Sequence, residues 1–213
     1  QDLDPVWTDE QIEIFANGSQ PNRYPNNDWW DLTLRKFAPQ TQHNLNIQGG
    51  TDKVKYFVSG GYFYQEAMPR ADDTEFKRYN LRSNLDVKIS EKFNVGVDIA
   101  LQYQDYLGPV FQMERSSAAA GNKTGIMGKI YRHRPYGPSP DQYPESEYLT
   151  SYPGADINPL IYAEMDNGGY KSWNTLTGDL KFSFAYQLPF GIEAKANYRL
   201  YRRYDKDKQY ELK

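Results

Sequence analysis

"RYNLRSNLDVKISEKFNVGVDIALQYQ", running from Arg78 to Gln104, alternates with a period of two. Tyr79, Leu81, Leu85, Val87 and Ile89 fall on one parity; Asn80, Arg82, Asn84, Asp86 and Lys88 fall on the other. After Ser90-Glu91-Lys92 the alternation resumes, setting Phe93, Val95, Val97, Ile99, Leu101 and Tyr103 against Asn94, Gly96, Asp98, Gln102 and Gln104. Successive side chains of an extended strand point to opposite faces, so each run predicts a strand with one apolar and one polar face. The three-residue break predicts a tight hairpin. Runs of about a dozen residues exceed the five or six typical of soluble strands. They match the roughly nine to eleven that a tilted strand needs to cross a bilayer.

The same pattern recurs outward from this pair. Upstream, His43 to Gly49 sets Leu45 and Ile47 against Asn44, Asn46 and Gln48. A turn at Gly49-Gly50-Thr51-Asp52-Lys53 leads to a strand from Val54 to Glu66, with Tyr56, Val58, Tyr62 and Tyr64 on one parity. The other parity carries Lys55, Ser59, Gly61 and Gln65, with Phe57 and Phe63 mixed in. Downstream, Thr175 to Gln187 sets Leu176, Leu180, Phe182, Phe184 and Tyr186 against Thr177, Asp179, Lys181, Ser183 and Gln187. Leu188-Pro189-Phe190-Gly191 turns the chain into a sixth run, Ile192, Ala194, Ala196, Tyr198 and Leu200 against Glu193, Lys195, Asn197 and Arg199. Arg202 to Lys213 is charged and is expected beyond the outer interface, still extended. Ahead of all this, Thr8-Asp9-Glu10-Gln11 has the form of a capping box for a short helix over residues 9–16, closed by Asn17-Gly18. One helical turn is expected between Pro25 and Pro39.

The connections are unequal. Strands one and two, three and four, five and six are joined by short turns, whereas "AMPRADDTEF" joins two to three and residues 108–173 join four to five. Antiparallel neighbours alternate direction, so the short turns fall at one end and the long loops at the other. Outer-membrane barrels show this asymmetry, with short periplasmic turns and long extracellular loops. The reading is therefore all-β: about six long strands of an antiparallel transmembrane β-barrel, with long extracellular loops carrying short helices. Residues 1–42 form an extracellular loop, 43–107 four barrel strands, 108–173 a long extracellular loop, and 174–213 two strands and an outward extension. Six strands do not close such a barrel, so the chain reads as part of a larger one. Gln1-Asp2-Leu3-Asp4 reads as the inside of something longer, with no signal peptide. A soluble all-β carbohydrate-binding or adhesin module is the alternative, and a porin that needs no energy coupling is a third.

Composition bounds the function. The 213 residues carry a formal net charge of -3, which leaves no electrostatic footprint for nucleic acid. Mean hydropathy is -0.86 and no long apolar run is present, which excludes a transmembrane helix but not barrel strands. Tyrosine dominates the aromatics, 19 against 10 Phe and 4 Trp, as suits interfacial girdles or a sugar-contacting surface. There is no cysteine, hence no disulfide framework or thiolate chemistry. His43 and His133 are too far apart in sequence to suggest a metal site. Asp72-Asp73 and Asp205-x-Asp207 lack the spacing of a calcium loop, so no metal or other cofactor is expected. No segment offers a positioned acid and base, a nucleophile motif or a phosphate-binding loop, so an enzyme is not expected.

If the barrel reading holds, Leu81, Leu85, Val87, Val95, Val97, Ile99, Leu180, Phe182 and Phe184 face lipid. Asn80, Arg82, Asn84, Asp86, Asp98, Gln102, Asp179 and Lys181 face the lumen or a plug. Girdles are expected from Phe93, Tyr186 and Phe190 near the short turns, and from Tyr62, Tyr79, Tyr103 and Tyr198 near the long loops. The long loop concentrates Tyr131, Arg132, Arg134, Tyr136, Tyr143 and Tyr148, residue types enriched where interfaces concentrate binding energy. A helix around residues 112–120 is expected just upstream.

"YPNNDWWDLTLRKFAPQTQHNLNIQGGTDKVKYFVSGGYFYQEA" followed by "FKRYNLRSNLDVKISEKFNVGVDIALQYQ" resembles the early barrel region of SusC/RagA-type TonB-dependent outer-membrane transporters. The Tyr-Pro-Asn-x-Asp-Trp segment, the Gln-His-Asn strand, the Gln-Gly-Gly-Thr turn, the Lys-Tyr-Phe-Val-Ser strand and the Arg-Tyr-Asn-x-Arg-Ser-Asn strand recur in order. The match is clear over residues 24–104 and weaker through 204; Asn158-Pro159 also fits. The resemblance implies a multi-pass protein of the Gram-negative outer membrane that imports oligosaccharides or, less often, peptides. It further implies a SusD-like surface lipoprotein as partner. The plug and the TonB-contacting box of the family have no counterpart in these residues and would lie before Gln1, so coupling to TonB is implied by resemblance alone.

Overall fold

The computed structural model describes residues 7–21, 23–70, 74–109 and 169–210, together with Gly128, Ile130 and Met165. Six strands form one antiparallel sheet in sequence order: β1 (Gln40–Gly50), β2 (Val54–Glu66), β3 (Glu75–Ser90), β4 (Phe93–Pro109), β5 (Tyr170–Gln187) and β6 (Glu193–Tyr210). The sheet is open, with β1 and β6 at its edges. Two helices precede it, α1 (Asp9–Asn17) and α2 (Trp29–Thr33). No described helix is long and apolar enough to cross a membrane, which says nothing of strands.

The local signals act as their chemistry dictates. Thr8 and Gln11 exchange the two hydrogen bonds of a capping box, and Gly18 ends α1 in the left-handed conformation (φ 63°). Asp28 caps α2 by accepting from the Trp30 and Asp31 amides. Between β5 and β6 the turn needs two successive left-handed residues, Phe190 (φ 65°) and Gly191 (φ 76°). Only the glycine adopts that conformation without steric cost.

The strands outrun the alternation that announces them. β1 starts at Gln40, β3 at Glu75 and β5 at Tyr170, while β4 continues to Pro109 and β6 to Tyr210. At these ends neither face is consistently apolar, and the strands are held by ladder pairs such as Glu75↔Leu107 and Tyr170↔Tyr210. His43 accordingly lies inside β1, paired with Tyr62.

The register aligns the parities across all six strands. Ile47 pairs with Val58, Tyr56 with Leu85, Leu85 with Val97, Val97 with Phe182, and Phe182 with Tyr198. One continuous apolar face results, and it is bare: Leu45 is 67% exposed, Leu81 45% and Phe184 39%. Among the described residues the buried hydrophobic side chains are few: Trp29, Leu34 and Ile130.

Aromatic rows border this face. At the long-loop end Tyr62 packs on Tyr79 at 5.1 Å and Tyr79 on Tyr103 at 6.2 Å, with His43 stacked on Tyr62. At the short-turn end Phe93 meets Tyr186 at 6.2 Å. Tyr198 departs from expectation. It pairs with Phe182 deep in the apolar field, and Tyr204 instead shares the row of Leu176 and Tyr103. An offset counted along one strand does not carry to its neighbour until the register is known.

Candidate functional site

On the other face the polar residues expected there form three separate hydrogen-bonded groups, stacked along the strands as a ladder. Gln102 donates to the Asn80 side chain at 2.9 Å and receives from Gln104 at 3.1 Å. Arg82 donates to Asn84 at 3.2 Å, Asn84 donates to one Asp98 oxygen at 2.5 Å, and the Lys181 ammonium lies 3.5 Å from the other. Asp179 receives two hydrogen bonds from Arg199, one of 2.8 Å from Nε and a second from Nη2. Thus Asn80, Arg82, Asn84, Asp98, Gln102, Asp179 and Lys181 join one face, cross-linked through the pairings that put Asn84 opposite Asp98 and Asp98 opposite Lys181. Cross-strand pairs of opposite charge contribute roughly 0.2–1 kcal/mol each. They neutralise Asp98 against Lys181 and Asp179 against Arg199, while Arg82 bonds to the neutral Asn84.

Asp86 sits apart from this chain of contacts. It pairs with Gly96 and lines an open trough of about 460 Å³ at the short-turn end, with Lys53, Lys55, Lys88 and Lys195 around it. Among the described residues no group of three or more His, Cys, Asp or Glu is placed to hold a metal ion.

The long-loop end carries features that alternation alone conceals. Phe63, Phe76, Tyr106 and Trp173 lie on the otherwise polar face, with ring contacts of 6.0 Å from Phe76 to Phe63 and to Trp173, and 5.6 Å from Tyr106 to Trp173. The Arg78 guanidinium stands 5.1 Å over the Phe63 ring. The sequence signal for this cluster is the aromatic residue out of parity, visible at Phe63 but not interpretable before the register brings the other rings beside it. The segment after α2 is stitched to the β2–β3 connection: Arg35 N donates to Met68 O at 2.8 Å, Arg70 N to Thr33 O at 2.9 Å, and the Arg35 side chain pairs with Glu66. Thr33 and Leu34 are buried there. Tyr131, Arg132, Arg134, Tyr136, Tyr143 and Tyr148, and the helix expected at 112–120, lie outside the described residues.

The chain is similar to two TonB-dependent receptors of Formosa agariphila. With receptor P26 it shares 38% identity over 87 residues, 41% of this chain and 8% of the relative. With receptor P3 it shares 27% over 195 residues, 91% of this chain and 16% of the relative. A solved structure described as that of the RagAB peptide transporter superposes with a TM-score of 0.57 at 20% identity, covering 86% of this chain and 20% of that one. That likeness concerns the fold alone, and no family model matches the chain. The resemblance to SusC/RagA-type TonB-dependent transporters read from the sequence is borne out by these relatives, of whose length the chain spans a small part.

Proposed function

We propose that this chain is a stretch of barrel wall from a SusC-like TonB-dependent importer of the Gram-negative outer membrane. The observation that carries the reading is the bare apolar face bordered by aromatic rows. Phe93 and Tyr103 stand ten residues apart on β4. At ~3.4 Å per residue and a tilt of ~40° they differ by about 26 Å in height, close to the ~25 Å apolar band of such barrels. A soluble sheet with this face would need a second layer to cover it. In the barrel, lipid covers it.

The roles of the two faces follow. Leu81, Leu85, Val87, Val95, Val97, Ile99, Leu180, Phe182 and Phe184 meet hydrocarbon. The ladder from Asn80 to Lys181 faces the lumen, where a plug and water meet it. The ion pairs Asp98–Lys181 and Asp179–Arg199 lower the number of bare charges that a plug must desolvate when it moves against this wall. The ends divide as the turns do, with Gly50, Glu91 and Pro189 on the periplasmic side and residues 67–74 and 110–169 outside. There the long loop, through Tyr131, Arg132, Arg134 and Tyr136 with Tyr143 and Tyr148, contacts a SusD-like lipoprotein that closes the mouth. The cargo is an oligosaccharide or a peptide, and the work is transport driven through TonB rather than chemistry on the cargo.

Membrane extraction tests the reading. The full-length protein should stay in the membrane through carbonate washing and dissolve only in detergent, and its gene should encode a plug-like domain upstream of Gln1. Release without detergent would return the soluble module; a barrel without a plug would return the porin.

A further inference from the structure

The end of β6 separates charge by face. In "RRYDKDKQY", Arg202 to Tyr210, acids and bases alternate with the period of the strand. Arg203, Asp205 and Asp207 lie on the polar face and find partners there. Asp205 receives hydrogen bonds from Thr175 at 2.6 Å and Arg203 at 2.8 Å, and Asp207 lies 3.7 Å from Lys171. Arg202, Lys206 and Lys208 fall on the apolar face, opposite Gly178, Asn174 and Ser172. Among the described residues no carboxylate is within ion-pair distance of these three; Lys208 stands 5.4 Å over the Tyr170 ring. The other charges on this face near that end are Asp105 and Lys77, with Glu75 and Glu66. Lys77 is paired with Glu75 at 2.5 Å and Glu66 with Arg35, which leaves Asp105, across Asn174 from Lys206, against three bases, so the excess at β6 is positive.

We propose that Arg202, Lys206 and Lys208 bind the phosphate-bearing headgroups of glycolipid in the outer leaflet. The proposal rests on the barrel reading, because only there does this face meet lipid. Its placement is metric. Tyr204 shares the aromatic row of Tyr103, and Lys206 and Lys208 follow it by two and four residues. At ~3.4 Å per residue and ~40° of tilt they rise about 5 and 10 Å above the row, through a headgroup layer some 5–7 Å deep and past its edge. Arg202 lies one step inside the row, and its long side chain reaches back to the interface with its charge outward. Gly178 opposite leaves room for that path. Three cations at successive levels, with tyrosines between and beside them, match an anionic headgroup whose phosphates sit above buried acyl chains.

Titration of detergent-solubilised full-length protein with diphosphoryl lipid A, read by native mass spectrometry, tests this against phosphatidylcholine and inorganic phosphate. Each basic residue near an anionic lipid surface contributes about fivefold in affinity, so R202Q/K206Q/K208Q should raise the half-saturating lipid A concentration by roughly a hundredfold. D205N/D207N, on the opposite face, should leave it within about threefold, and R202K/K206R/K208R should restore tight binding. Millimolar inorganic phosphate should not displace the lipid. Unchanged lipid A binding in the triple Gln variant, with the folded barrel's heat-dependent gel shift intact, would overturn the proposal. Full displacement by inorganic phosphate would overturn it in favour of a free-anion site, and phosphatidylcholine bound equally well in favour of non-specific lipid contact. Loss of the gel shift and release without detergent would instead mark failure of the barrel reading beneath it.

Discussion

Replacing Val97 with lysine separates the two faces by energy. Val97 stands between Leu85 and Phe182 in the register, four residues from Phe93 and six from Tyr103. At ~3.4 Å per residue and ~40° of tilt that places it about 10 Å from the short-turn girdle and 16 Å from the other, near the middle of the apolar band. A lysine at such a depth costs about 2–4 kcal/mol. The matched control is Asn84→Lys, one residue from Leu85 but on the opposite face. There the new ammonium lies beside Asp98, which Lys181 already neutralises in part, so gain and like-charge repulsion from Arg82 nearly cancel. Its cost should stay below about 1 kcal/mol. Urea titration of the full-length protein folded into lipid vesicles, read by tryptophan fluorescence, measures both. If N84K costs as much as V97K, the assignment of faces is wrong, however well the strands themselves are placed.

Three further outcomes follow from particular contacts. A Cβ on Gly50 would sit 2.5 Å from the Val54 carbonyl oxygen; G50A should lower the urea midpoint by the equivalent of about 1–3 kcal/mol, and an unchanged midpoint would mean a slack hairpin. R35A removes the pair with Glu66 that ties the segment after α2 to β2, both partners being about a quarter exposed. Limited trypsinolysis should then cut after Lys36 several-fold faster while the sheet stays protected, from a local loss of about 1 kcal/mol. Replacing Tyr131, Arg132, Arg134 and Tyr136 together with alanine should, on the proposed function, weaken co-purification of a SusD-like lipoprotein with the barrel still inserted. Undiminished co-purification with reduced uptake would make this loop a cargo surface instead.

The sheet was legible because its determinant is local. Alternation between Tyr79 and Tyr103 needs only the geometry of an extended chain, and short turns at Gly50, Glu91 and Pro189 order the strands once neighbours are antiparallel. What stayed hidden depends on register. Tyr198 counted to the outer girdle because the alternation stops at Leu200, whereas β6 runs on to Tyr210 and the register sets Tyr198 opposite Phe182, in the middle of the apolar field. The ring cluster of Phe63, Phe76, Tyr106 and Trp173 draws on four strands, and Phe76, Tyr106 and Trp173 lie outside the alternating runs. The outward lysines of β6 follow the parity rule, yet their charge reads as simple solvent exposure until Tyr204 is seen to share the row of Tyr103. The polar ladder was the most readable part of the candidate site, since parity already gathers Asn80, Arg82, Asn84 and Asp98 on one side.

Nitroxide accessibility along β4 addresses the barrel wall most directly. Single cysteines introduced from Phe93 to Gln104 of the full-length protein, spin-labelled and reconstituted in lipid, report collision with oxygen, which concentrates in hydrocarbon, and with a water-soluble nickel chelate. Labels at Val95, Val97, Ile99 and Leu101 should favour oxygen, with a maximum near Val97 or Ile99, and labels at Asn94, Asp98 and Gln102 should favour nickel. A trace without the two-residue period, or one with its phase reversed so that Asp98 meets oxygen and Val97 meets nickel, would contradict the wall described above.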